Sequence, residues 1–135
     1  MATACGTPAG TLFNATIQQP DGSNPLPVVL GDETGLVTGI EVVSIDWPAG
    51  VGGSTDGPFV QPDTSDPNAI VVFWITGACE NDVAMSFKPV GAGFDLHVAV
   101  HGKFGSCTAN ALFRQLRIRF SRSIPATQIT ATLGI

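Results

Sequence analysis

Glycine or proline interrupts nearly every window of this chain long enough to hold three helical turns, and between the interruptions the apolar residues recur at a spacing of two. A helix tolerates neither residue in its interior, because proline removes a backbone donor and glycine costs about 1 kcal/mol relative to alanine. Strands accept both at their ends. The 16 Gly and 10 Pro among 135 residues therefore predict short strands joined by turns, in one domain spanning residues 1–135. Residues 1–10 read as a loose N-terminal tail.

Thr11 to Ile17 alternates in character and ends at Gln19-Pro20-Asp21-Gly22, a turn sequence. Leu26 to Leu30 contains Pro27, which predicts an edge strand. Leu36 to Trp47 changes phase at Val42-Val43, so a β-bulge is expected there. Ala69 to Thr76 is nearly all apolar, as a central strand covered on both faces should be. Val83 to Val90 follows an expected turn at Glu80-Asn81-Asp82, and Phe94 to Phe104, Ala111 to Phe120 and Thr127 to Leu133 complete about eight strands. The spacing predicts an all-β fold of two packed antiparallel sheets, an immunoglobulin-like or jelly-roll sandwich, with a closed β-barrel as the alternative.

Hydrophobic residues at 44% against 13% charged exclude intrinsic disorder. The longest apolar run, Ala69 to Ile75, is strand-sized, so no membrane insertion is expected. Residues 1–10 show neither a basic leader nor an apolar segment, so no signal peptide is visible. A net charge of −5 argues against nucleic acid as a partner, since that binding relies on Lys and Arg neutralising phosphates.

The distribution of charge says more than its sum. All six basic residues lie after residue 87, whereas of the eleven acidic residues only Asp95 does. Such a division predicts pairing of the two halves, either inside the fold or head to tail between copies. Arg117 and Arg119 share a strand face with Phe113 and Gln115 and suit two-pronged contacts to carboxylates of the acidic half or of another copy, with Asp63 and Asp66 as the partners expected between copies. Arg114 has the parity of the apolar set, placing it at a strand end or buried with a partner.

Cys5, Cys79 and Cys107 form no C-x-x-C pair and match no zinc pattern. Cys79 and Cys107 each follow a glycine by two residues at a strand edge, so a disulfide between them is expected. That bond favours an oxidising compartment, hence an extracellular or cell-surface location. Cys5 is left over, in the tail or between chains.

Pro48 to Asn68 exceeds the length of about 12 to 15 residues beyond which structureless loops are usually functional or disordered. It is the expected binding surface: Trp47 and Phe59 offer stacking area for carbohydrate, and Asp56, Asp63 and Asp66 offer oxygens for calcium, without EF-hand spacing. Asp95, His97, Ala99 and His101 share a strand face, but residues four apart lie about 13 Å apart, too far for one ion. No G-x-S-x-G, H-E-x-x-H or phosphate-binding glycine loop occurs. Asn14-Ala15-Thr16 is a glycosylation sequon.

The expected function is a non-catalytic structural or adhesive module, without cofactor, whose partner is itself or another protein. A carbohydrate- or calcium-binding domain using the 48–68 loop is second, and a metal-dependent enzyme at His97 or His101 third.

Overall fold

The computed structural model describes residues 10–18, 25–43, 58–76, 80–102 and 112–134. Nine strands occur among them: β1 (Thr11–Ile17), β2 (Leu26–Asp32), β3 (Val37–Val42), β4 (Phe59–Pro62), β5 (Ala69–Thr76), β6 (Glu80–Val90), β7 (Gly93–Gly102), β8 (Leu112–Phe120) and β9 (Ile129–Gly134). One 3₁₀ turn, Ala126–Gln128, leads into β9. The strands form a five-stranded sheet in the order β1-β2-β6-β7-β9 and a four-stranded sheet in the order β3-β8-β5-β4. The chain is thus an all-β, two-sheet sandwich, not closed into a barrel.

Every pairing in the smaller sheet is antiparallel, but in the larger sheet β2 pairs with β6, and β7 with β9, in parallel. The uniformly antiparallel larger sheet read from the sequence is corrected here. After β2 the chain crosses to the other sheet for β3, β4 and β5, and it returns beside β2 as β6. A tight hairpin forces antiparallel neighbours, whereas a crossover leaves the returning strand free to run parallel.

Alternation then fills the space between the sheets. Leu26, Val28 and Leu30 of β2, Val83, Met85 and Phe87 of β6, and Leu96 and Val98 of β7 point inward and are nearly inaccessible. They meet Ile70, Val72 and Trp74 of β5 and Leu116, Ile118 and Phe120 of β8. Phe87 stacks on Phe94 at 5.1 Å between ring centres and touches Phe120 at 5.3 Å, joining the sheets at one end. Burying such a side chain is worth about 1.5–3 kcal/mol each. In β5 the outward Ala69, Val71 and Phe73 are buried as well, as expected of a central strand.

Three local expectations change. Pro27 lies inside an interior strand, between β1 and β6; the β6 ladder begins only at Val28, so the missing proline N–H interrupts no bond to β6. Glu80-Asn81-Asp82 opens β6 instead of forming a turn, with a register shift between Glu80 and Asp82. In β3 the register shift falls between Val37 and Gly39, and the strand ends at Val42, which is exposed.

Asp32 fixes the crossing from β2 to β3. Its carboxylate is wholly buried and accepts from Thr34 N–H at 2.9 Å, Thr34 hydroxyl at 2.6 Å and Val37 N–H at 3.1 Å. The Val37 N–H bond among them is buried, so the carboxylate ties the start of β3 to the end of β2 where the chain changes sheets.

Candidate functional site

The outer face of the smaller sheet gathers five charged side chains. Glu41 stands on β3, opposite Arg117 in the β3–β8 register. Arg117 and Arg119 point outward from β8, and Asp63 and Asp66 lie in the connection from β4 to β5. Strand alternation places the two arginines on one face, with Leu116 and Ile118 taking the core.

Arg117 holds the centre. Its Nη1 donates to Glu41 Oε1 at 2.8 Å, and its Nε lies 2.7 Å from Asp63 Oδ2, close but off the line of a hydrogen bond. Its side chain is only 14% exposed and that of Asp63 3%, so this pair sits largely out of water. Arg119 adds weaker contacts, 3.1 Å to Glu41 and 3.5 Å to Asp66, with its side chain 46% exposed.

The Asp63 carboxylate also accepts from Ser65, from the N–H and the hydroxyl at 3.3 Å. Burial pushes the Asp63 carboxyl up, but the Ser65 N–H and the Arg117 guanidinium outweigh it and hold the group below its ordinary range. Arg117 is raised above its ordinary value, first by its bond to Glu41, with burial opposing and Asp63 assisting.

These contacts resolve where the divided charges meet: Arg117 and Arg119 are paired inside the chain with Glu41, Asp63 and Asp66. Two guanidiniums among three carboxylates form a clasp across the sheet, from β3 over β8 and β5 to the β4–β5 connection. Calcium is poorly served here, because Asp63 is already neutralised by a guanidinium, and among the described residues no three His, Cys, Asp or Glu side chains gather about a point.

The expected loop from Pro48 to Asn68 is corrected in its second half. Phe59 belongs to β4, which pairs antiparallel with β5, and residues 63–68 make a turn in which Asp63 N–H donates to Ala69 carbonyl and Ala69 N–H to Asp66 carbonyl. Trp47, Asp56, Cys5, Cys79 and Cys107 lie outside the described residues. A groove of about 450 Å³ runs along β4, lined by Val60, Pro62, Asp63, Pro67, Ile124 and Pro125.

On the outer face of the larger sheet, the two histidines of β7 turn to opposite sides. His97 Nδ1 lies 2.9 Å from the Thr132 hydroxyl on β9, while His101 Nδ1 meets Asp82 on β6. A lysine, Lys88, stands opposite Asp95 in the β6–β7 register. Arg114, whose parity is that of the apolar set, is buried on the inward face opposite Trp74.

Sequence reasoning passed over Glu41 and Asp32. Glu41 carried a signal, a charge in the middle of an apolar β-like run, and Asp32-Glu33-Thr34-Gly35 carries the composition of a side-chain-capped turn. Comparison with protein-family models, with curated proteins and with solved structures found no match to this chain.

Proposed function

We propose that the chain is a non-catalytic structural or adhesive module that associates with itself or with another protein, outside the cell or at its surface. The observation that supports this reading most is the larger sheet, whose two edge strands, Thr11–Ile17 and Ile129–Gly134, hold no charged residue. Within them Leu12 and Leu133 are 65% and 37% exposed. Uncharged strand edges offer unpaired main-chain groups to an incoming strand. The clasp of Arg117 and Arg119 is satisfied within the chain, so association by this route is apolar and main-chain in character, not ionic.

Light scattering across a concentration series at low and high salt tests it. Association that survives high salt is expected, because edge pairing carries little charge. A strict monomer at high concentration overturns self-association, and loss of association in salt overturns its basis.

A further inference from the structure

We infer that the groove between the β6–β7 turn and the start of β9 is a binding site for a neutral sugar, held by Asp95 and Thr130. The inference goes beyond the association reading and stands without it, and the site lies apart from the 48–68 segment that the sequence offers for carbohydrate.

The groove holds about 510 Å³ and is lined among others by Val90, Phe94, Asp95, Thr127, Gln128 and Thr130. That volume falls within the range of small-molecule sites. Two glycines shape it. Gly91 takes a φ of +59° in the turn, and at Gly93 a Cβ would stand 2.5 Å from the Gln128 carbonyl oxygen, so only glycine lets the 3₁₀ turn close against β7 and form the wall. Register then sets three polar groups in a row. Lys88 on β6, Asp95 on β7 and Thr130 on β9 are direct neighbours, about 5 Å from one strand to the next. Asp95 is half-buried, and among the described residues its carboxylate takes part in no ion pair or side-chain hydrogen bond.

The lining selects the class of ligand. A carboxylate only accepts, whereas the Thr127 and Thr130 hydroxyls and the Gln128 amide both donate and accept. Together they suit a molecule with several hydroxyls close to one another. Charge opposes the ionic classes: Lys88 beside the groove repels an amine or a metal cation, and Asp95 repels a carboxylate or a phosphate. Val90, 54% exposed, and Phe94 give apolar surface for the C–H face of a pyranose ring. Adjacent ring hydroxyls donate to the two oxygens of Asp95, and Thr130 takes a neighbouring one. An extended peptide needs an open run of strand edge, whereas this groove is bounded by the hairpin turn and the 3₁₀ turn.

Saturation-transfer NMR on the full chain tests the site, with methyl glycosides of glucose, galactose, mannose and fucose as probes and with methylammonium and acetate as charged comparisons. At least one glycoside should receive saturation, and the two ions none. Asp95→Asn should weaken binding of that glycoside about tenfold and Thr130→Ala a few-fold, since a bond to a charged acceptor counts for more than one between neutral groups. Thr16→Ala lies on β1, at the opposite edge of the sheet, and should bind as the wild type does. Thermal melting shows that each variant stays folded. Failure of every glycoside overturns the inference, as does binding that survives both groove variants unchanged or falls equally in Thr16→Ala. Binding of methylammonium or acetate in place of the glycosides overturns the choice of a neutral sugar.

Discussion

The Nε atom of Arg117 lies 2.7 Å from Oδ2 of Asp63, joining β8 to the turn after β4 across the intervening β5. Neither group reaches water freely, but Arg117 keeps Glu41 when Asp63 is removed. Asp63→Ala should cost about 1–3 kcal/mol in urea denaturation, less than the roughly 3–5 kcal/mol of a buried charge left with no partner. Replacing both, Asp63→Leu with Arg117→Leu, should cost less than the single change. Equal losses in the single and double variants would mean that the pair contributes little.

Stability should fall in acid through Asp63. Its folded-state value lies below the ordinary 3.8, so its contribution is fully present above that value and is lost as pH falls through the lowered one. The raised Arg117 acts in the opposite direction only at extreme alkali. Urea titrations between about pH 5 and pH 2 should show a shallower decline in Asp63→Asn than in the wild type.

Arg119 should matter much less than its neighbour. Its side chain is 46% exposed, and pairs of that kind are worth about 1 kcal/mol or less. Arg119→Glu should keep the fold and should leave association unchanged, as read by sedimentation. A loss of assembly with folding retained would return the charge division to a role between copies.

Asp32 should tolerate no amide. In Asp32→Asn one oxygen still accepts from Thr34, but the NH₂ group replaces the acceptor that Val37 N–H uses at 3.1 Å. Two donors then face each other in a buried site, and about 2–3 kcal/mol should be lost in denaturation experiments.

Thiol counting on unfolded, unreduced protein should find one free thiol, with Cys79 bonded to Cys107. Their replacement by serine should lower stability by about 2–4 kcal/mol. Three free thiols would remove the bond and, with it, the argument for an oxidising compartment.

By itself the sequence determined the all-β class, the strands other than β4, and the facing of side chains. Period-two alternation assigned Leu116 and Ile118 inward and Arg117 and Arg119 outward, and the unbroken apolar run of Ala69 to Ile75 marked a central strand. Those properties are local, because each residue's face follows from its neighbours along one strand. What lies beside a strand is not local. Pro27 read as an edge and stands in an interior strand, and β2 and β6 pair in parallel, because the crossings between sheets decide neighbours. The same holds for the clasp. Arg117 and Asp63 are separated by 54 positions, and only the β3-β8-β5-β4 order brings them within 2.7 Å, turning a division of charge along the chain into contacts inside it.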